Sequence, residues 1–171
     1  SLVAPDRLRF DISHAKPITE AEIGLVEDMV NSEIRSNHGV TTAIMNPEEA
    51  VNKGALALFG EKYSEEVRVL TMGEGFSIEL CGGTHASRTG DIGLFRIVSE
   101  QGIASGVRRI EALTGQSALK AVEAVDDLLS ESSSLLKADR ASLTEKIRAL
   151  LDENKKLEKK VIESNRKLAS G

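Results

Sequence analysis

Apolar and polar residues alternate differently along the chain, and each pattern predicts a different element. In residues 7–13, "RLRFDIS", apolar and polar residues occupy alternate positions, which is the period of a half-buried strand. Residues 19–35 carry apolar residues three and four positions apart, which predicts a helix with one apolar face. Thr19 and Glu22 have the spacing of a capping box, so this helix is expected to begin there.

The next part of the chain predicts further strands around a second helix. Residues 40–45 are rich in β-branched side chains, as strands are. Asn46 and Pro47 predict the start of a helix that runs to Gly60, because proline suits the first helical position. The later strand-like runs, separated by glycines, are 66–72, 76–80, 93–100 and 106–115. This order of strands and helices predicts an α+β fold, with a mainly antiparallel sheet and helices packed on one face.

Beyond Gly115 the chain has the pattern of long helices. Mostly apolar residues recur at alternating steps of four and three, as at the core positions of heptads. The first series is Ala118, Val122, Val125, Leu129, Ser132 and Leu136, and the second is Leu143, Ile147, Leu150, Asn154, Leu157, Val161, Ser164 and Leu168. The series are out of phase, so two helices that break near 137–141 are expected, with Ser142 and Glu145 as a new capping box. An antiparallel helical hairpin or one long helix with a stutter fits this pattern.

Composition places a boundary near Gly115. All three prolines and 13 of the 14 glycines lie in the first 115 residues, so two parts are expected, 1–115 and 116–171. No apolar run approaches the ~18 residues of a membrane span. The single cysteine excludes an internal disulfide and fits a reducing compartment such as the cytoplasm.

Charge and aromatic content limit how the chain could bind nucleic acid. A net charge of −5 gives no global attraction to a polyanion, and 3% aromatic residues argue against a reader built on base stacking. Residues 17–66 hold ten acidic and three basic side chains, whereas residues 81–113 hold four arginines and three acids. RNA is therefore expected to approach the side of the protein near Cys81.

The candidate chemistry lies in Cys81 and His85, within the stretch "CGGTHASRTGD". Cys81 follows a predicted strand, and the glycines at 82–83 permit backbone conformations closed to other residues, so a tight loop can bring His85 back toward the sulfur. Thiolate and imidazole are good zinc ligands, but a zinc site takes three or four protein ligands. A buried structural cysteine and a nucleophilic thiolate–imidazolium pair stay open as alternatives. His14 is a candidate third ligand, and His38 is expected in a solvated loop.

Four stretches resemble the editing domain of alanyl-tRNA synthetase: "SLVAPDRLRFDISH", "GALALFGEKY", "ELCGGTHASRTGDIGLFRIVSE" and "GVRRIEALTG". The resemblance runs from Ser1 to about Gly115, and the helices that follow resemble the linker to that enzyme's C-terminal domain. Threonyl-tRNA synthetase editing domains and free-standing trans-editing proteins share the architecture. "CGGTHASRTGDIG" together with "GVRRIEALTG" favours the alanyl branch.

The resemblance implies a zinc site made of an H-x-x-x-H pair and a C-x-x-x-H pair. Cys81 and His85 would be the second pair. In this family the first pair lies upstream of the sequence that matches residues 1–13, so it is expected outside this chain, as are the aminoacylation and tRNA-recognition domains. The 171 residues are therefore expected to be part of a synthetase and to be inactive, or nearly so, by themselves.

The reaction that the resemblance implies is hydrolysis of tRNA(Ala) mischarged with serine or glycine. A synthetic site for alanine cannot exclude glycine well or strongly reject serine, so a second site must remove the errors. Zinc would polarise a carbonyl, activate water or position the substrate. Thr84 is the candidate catalytic residue, and the backbone of Gly82 and Gly83 is expected beside the aminoacyl group.

Three arginines are candidates for binding the RNA end of the substrate, since a guanidinium binds phosphate in a bidentate fork. They are Arg88, Arg108 and Arg109. For these arginines, ion pairs with Asp91 or Glu111 on exposed strand faces are the alternative.

Two other functions stay open: a non-catalytic scaffold with a coiled-coil interaction module, and a free-standing trans-editing deacylase. The apolar seams of the two C-terminal helices are expected to pair with each other. An exposed seam would instead join copies of the chain into a homo-oligomer.

Overall fold

The computed structural model describes residues 1–56 and 65–169 and confirms the predicted α+β fold. The predicted helix at 57–60 and most of the "GALALFGEKY" stretch lie outside the described residues. The chain divides into two compact units, 1–120 and 121–171. The described strands are β1 (Leu2–Val3), β2 (Leu8–Ser13), β3 (Thr41–Met45), β4 (Val67–Met72), β5 (Ser77–Leu80), β6 (Phe95–Ala104) and β7 (Val107–Thr114). The α-helices are α1 (Glu20–Ser36), α2 (Pro47–Asn52), α3 (Gly115–Leu136) and α4 (Leu143–Ala169), and short 3-10 segments occupy Gly73–Gly75 and Thr89–Ile92.

The strands form two antiparallel sheets rather than one. The first has the strand order β1-β2-β7-β6, and the second has the order β3-β4-β5. Strands β6 and β7 form a hairpin, and β7 pairs with β2 so that Asp11 lies opposite Arg109. The first sheet therefore joins the beginning of the chain to residues about a hundred positions later.

Helix α1 begins at the predicted capping box. The Thr19 hydroxyl accepts a hydrogen bond from Glu22 N at 3.3 Å, and the Glu22 carboxylate accepts one from Thr19 N at 2.8 Å. The helix ends at Asn37, which takes a left-handed φ of 53°. Both ends are thus defined by local hydrogen bonds or backbone conformation.

Two side chains of α1 hydrogen-bond the free edge of β6. Asn31 Nδ2 donates to Phe95 O at 2.9 Å, and Phe95 N donates to Asn31 Oδ1 at 2.9 Å. One turn earlier, Glu27 accepts from Ile97 N at 2.6 Å and pairs with Arg96 at 3.1 Å. Helix α1 therefore takes the place of a neighbouring strand and covers the edge of the sheet.

Helix α2 packs against one face of the second sheet and is shorter than predicted. It begins at the predicted position, where Asn46 Oδ1 accepts from Glu49 N at 2.8 Å. Its predicted continuation is wrong at residues 54–56, because Gly54 takes a φ of +87° and Leu56 bridges to Glu79 on β5. The core on this face contains Met45, Ala50, Ala55, Val67 and Val69, with Ile78 and Leu80 packed against it.

The second unit holds the end of α3, residues 137–142 and α4. Lys137 takes a left-handed φ of 49° after α3, and Arg140 pairs with Asp126 on that helix. The predicted capping box requires the Ser142 hydroxyl to face Glu145. Instead, this hydroxyl donates to an Asp139 carboxylate oxygen at 2.7 Å.

The apolar seams of α3 and α4 are largely exposed. Val125, Leu157 and Val161 retain 58%, 51% and 58% of their accessible surface, whereas Leu143 retains 8%. Among the described helices, none is both long enough and apolar enough to cross a membrane.

Candidate metal centre

Cys81 extends the second sheet by one residue beyond β5. Its backbone N donates to Arg68 O on β4 at 3.2 Å. Leu80 packs against the apolar core, and because side chains alternate along a strand, Cys81 lies on the opposite face together with Arg68. Cys81 is half-buried. The alternative of a structural cysteine requires a thiol buried in the apolar core, so the structure does not favour it.

Gly83 lies between the two predicted ligands. A methyl group placed on Gly83 would be 3.7 Å from Cys81 Sγ and 3.8 Å from His85 Nε2. Both atoms therefore border one small space beside the glycine, and His85 is exposed. The sulfur and the imidazole nitrogen thus lie within 3.8 Å of one point beside the glycine.

These two donors fit half of a zinc site. A thiolate sulfur and an imidazole nitrogen are both zinc ligands, and Gly83 places no side chain of its own between them. Within residues 1–56 and 65–169, no group of three or more His, Cys, Asp or Glu side chains is arranged to hold a metal ion. In the described part of the chain, His14 therefore does not join Cys81 and His85 as a third ligand.

The glycines of this loop provide space and do not use left-handed backbone. Neither Gly82 nor Gly83 has a positive φ, so this loop does not use the left-handed conformations that glycine permits. Gly82 has nothing within 4 Å of the position of a Cβ. Thr84, the predicted catalytic residue, is exposed next to His85.

Arg68 contacts this loop and is a residue that sequence reasoning missed. Its Nη1 donates to Cys81 O at 3.2 Å and also to Gly83 O. The sequence shows only a basic residue between two valines of a strand, with these partners 13 and 15 positions away. The contact follows from the register of β4 and β5, which local patterns do not specify.

Arg88, a predicted RNA-binding residue, makes its contacts within the protein. Its Nε donates to Asn37 Oδ1 at 3.0 Å, and its Nη2 donates to Asn37 O. Gly90 approaches the same asparagine so closely that a Cβ would lie 2.5 Å from Oδ1. The guanidinium therefore fastens the segment after His85 to the end of α1.

Arg108 and Arg109 each form a bidentate ion pair, but with partners other than those predicted. Arg109 donates to both carboxylate oxygens of Asp11 at 2.8 Å. Arg108 donates to both oxygens of Glu100, with Nη2 at 2.6 Å from Oε2. Hydrogen bonds from these arginines lower the pKa of the Asp11 carboxyl and the pKa of the Glu100 carboxyl. Both guanidinium groups are thus already neutralised, which leaves less attraction for phosphate.

Thr89 is a buried polar residue that sequence reasoning also missed; it retains 3% of its accessible surface. Its hydroxyl donates to Glu33 O at 2.8 Å and accepts from His38 N at 2.9 Å. The His38 side chain is 28% exposed, with Nδ1 3.6 Å from Glu74, so this loop histidine is partly solvated. Thr89 anchors the segment that follows Cys81 and His85.

The chain is similar to known aminoacyl-tRNA synthetases. Residues 67–111, from β4 to β7 and including Cys81 and His85, match the family described as "Threonyl and Alanyl tRNA synthetase second additional domain". Over all 171 residues the chain is 57% identical to the alanine–tRNA ligase of Xanthomonas campestris pv. campestris strain 8004. It is 56% identical, over the same length, to the alanine–tRNA ligase of Xanthomonas axonopodis pv. citri strain 306. The resemblance to alanyl-tRNA synthetase is confirmed.

The chain spans 19% of the length of these curated relatives. It is therefore similar, along its whole length, to one part of alanine–tRNA ligases.

Proposed function

We propose that this chain forms part of the editing site of an alanine–tRNA ligase and contributes Cys81 and His85 to a zinc ion. The observation that carries the proposal is the convergence of Cys81 Sγ and His85 Nε2 on the space beside Gly83. This space lies within the segment that matches the synthetase family. Identity of 57% to an alanine–tRNA ligase over the whole chain supports the alanyl branch over the threonyl branch.

The substrate we propose is tRNA(Ala) carrying serine or glycine, and the bond broken is the ester between the amino acid and the terminal adenosine. When bound, zinc would supply Lewis acidity at a carbonyl or a water molecule. Cys81 and His85 would hold the metal. The backbone of Gly82 and Gly83 would border the aminoacyl group, and the exposed Thr84 hydroxyl offers it a hydrogen-bond donor and acceptor.

Two protein ligands are too few for zinc, so we propose that an H-x-x-x-H pair from a preceding segment of the same enzyme completes the site. The relatives are about five times as long as this chain, which leaves room for such a segment. By themselves, the 171 residues are then expected to be inactive or nearly so. The partners would be tRNA(Ala) and the rest of the synthetase, and one free cysteine suits a cytoplasmic protein.

Hydrolysis of seryl-tRNA(Ala) tests this proposal when measured for the 171-residue chain and for a longer chain that includes the H-x-x-x-H pair. We expect hydrolysis by the longer chain only, because only that chain holds a complete ligand set. In the longer chain, Cys81→Ala is expected to lower zinc content and to reduce the rate by more than about tenfold.

Ser87→Ala is the matched control, since Ser87 is exposed in the same loop. It should retain the zinc and the rate. Comparable hydrolysis by the short and long chains would contradict the divided site. Unchanged zinc content and rate in Cys81→Ala would remove Cys81 from the proposed centre.

A second candidate function is a non-catalytic interaction module, favoured by the exposed seams of α3 and α4. Leu157 and Val161 retain about half of their surface, which is unusual for core positions of heptads with a partner. The helices would then pair with another part of the synthetase or with a second copy. A longer chain that holds both ligand pairs but leaves seryl-tRNA(Ala) intact would favour this candidate.

A further inference from the structure

We infer that Arg68 is a positioning residue for the proposed metal centre. It holds the backbone of residues 81–83 in the curved conformation that directs Cys81 Sγ and His85 Nε2 into one space. The identity of the metal rests on the proposed function, whereas the effect of Arg68 on the loop can be measured without a metal.

Arg68 is joined to the loop by three hydrogen bonds. Its backbone carbonyl accepts from Cys81 N at 3.2 Å, which extends the β4–β5 ladder past its last named pair. Its side-chain Nη1 donates to Cys81 O at 3.2 Å and to Gly83 O. A single nitrogen therefore bridges the carbonyls of residues i and i+2, and the chain must bend around it.

This bridge matters because two of the three residues that it holds are glycines. Gly82 and Gly83 carry no side chains, and glycine loses more conformational freedom on ordering than any other residue. Hydrogen bonds from a charged guanidinium are stronger than those between neutral groups, and the rigid guanidinium plane keeps its donors in fixed directions. If the loop is already ordered, less conformational entropy is lost when the metal binds, so the affinity for the metal is higher.

The two ends of the ligand segment are held by different groups. Beyond His85, the anchors are the Arg88 contacts to Asn37 and the buried Thr89. At the other end, Arg68 reaches the carbonyl of the cysteine ligand itself. Loss of Arg68 should therefore loosen residues 81–84 while the segment after His85 stays attached to α1.

The experiment compares the 171-residue chain with its Arg68→Met variant, which keeps an apolar stem but has no donor. Backbone order parameters, measured by NMR on the metal-free chains, are expected to fall at residues 82–84 in the variant. A Co²⁺ titration of the longer chain that includes the H-x-x-x-H pair, followed by the thiolate-to-cobalt absorption band, is expected to show about tenfold weaker binding when it carries Arg68→Met.

Two control variants separate the possible failures. Arg35→Met removes the same charge from an exposed position on α1 and should match the parent chain in both measurements. Cys81→Ala should abolish the cobalt band. If Cys81→Ala binds Co²⁺ as the parent does, the proposed function fails, and the order parameters at 82–84 still decide the role of Arg68. If Cys81→Ala loses the band while Arg68→Met retains the order parameters and the affinity, the inference about Arg68 is overturned.

A third variant covers the case in which Arg68→Met does not fold. Arg68→Lys keeps the positive charge and a long stem, but its ammonium lacks the planar donor geometry. Amide hydrogen exchange within β4 and β5 reports whether the sheet is intact. With that sheet intact, Arg68→Lys should lower the order parameters at 82–84; values equal to the parent's would count against the inference.

Discussion

The absence of a side chain at position 83 leaves a space that a single methyl group would fill. In Gly83→Ala the new Cβ would lie 3.7 Å from Cys81 Sγ and 3.8 Å from His85 Nε2, which are ordinary contact distances. We expect the variant to fold with a free energy of unfolding within about 0.5 kcal/mol of the parent. Its zinc affinity should fall about tenfold, since the methyl group occupies the space that the ligands share. A zinc competition titration of the longer chain measures this.

Gly82→Ala is the matched control for this prediction. It adds the same methyl group one residue away, where nothing lies within 4 Å, and Gly82 also lacks a positive φ. Equal zinc affinity in the two alanine variants would show that the space beside Gly83 is not where the metal binds.

At the residue scale, sequence reasoning can bring together partners that are close in the chain. Cys81 and His85 are four residues apart, so their approach depends only on a short loop. It failed for Arg68 and for the partners of the adjacent arginines. Arg109 meets Asp11 across 98 positions, and that pairing depends on a strand register that no local pattern specifies.

At the scale of elements, the contact between α1 and β6 depends on one asparagine. Asn31 satisfies both the N–H and the carbonyl of Phe95 at 2.9 Å. Asn31→Ala is expected to lower the free energy of unfolding by about 1–3 kcal/mol, because it leaves two partly buried backbone groups unpaired. Urea unfolding monitored by circular dichroism measures the change.

Ser32→Ala on the same helix is the comparison for Asn31→Ala. Ser32 is exposed, so its replacement should change the free energy of unfolding by less than about 0.5 kcal/mol. If both variants unfold at the same urea concentration as the parent, the edge of β6 does not need the asparagine.

The elements themselves differ in how much of them could be predicted. The start of α1 was predicted correctly, because a capping box is a local pattern with a local cause. The end of α2 was not, since the apolar residues after Asn52 continue at helical spacing while Gly54 turns the backbone away at a φ of +87°. A glycine just beyond a helix was the available signal.

At the scale of the whole molecule, two ion pairs make the stability of the first sheet depend on acid. Hydrogen bonds from Arg109 and Arg108 lower the pKa of Asp11 and the pKa of Glu100 in the folded chain. The unfolded chain therefore binds protons more readily than the folded chain. The stabilisation is present above the unfolded pKa values, about 4, and is lost as pH falls through the folded values. Urea unfolding between pH 7 and pH 3 should show this loss.

Asp11→Asn tests the assignment of this acid dependence. It should lower stability at neutral pH and flatten the decline in acid, because one of the two groups no longer titrates. Asp6→Asn removes a charge from an exposed residue before β2 and should retain the slope of the parent. An unchanged acid slope in Asp11→Asn would show that the Asp11–Arg109 pair does not cause it.

The fold class was predicted from pattern alone, yet the division of the strands into two sheets was not. Period-two alternation shows that a segment is a strand and which residues share a face. It does not show which strands pair. That β2 joins β7, while β3, β4 and β5 form a separate sheet, is decided by long-range packing.

The adjacent arginines of β7 point to opposite faces of the first sheet, and each meets a carboxylate there. The two adjacent arginines therefore add little net positive charge to either face of the sheet. A polyanion that approached either guanidinium would also be repelled by the carboxylate oxygens bonded to it.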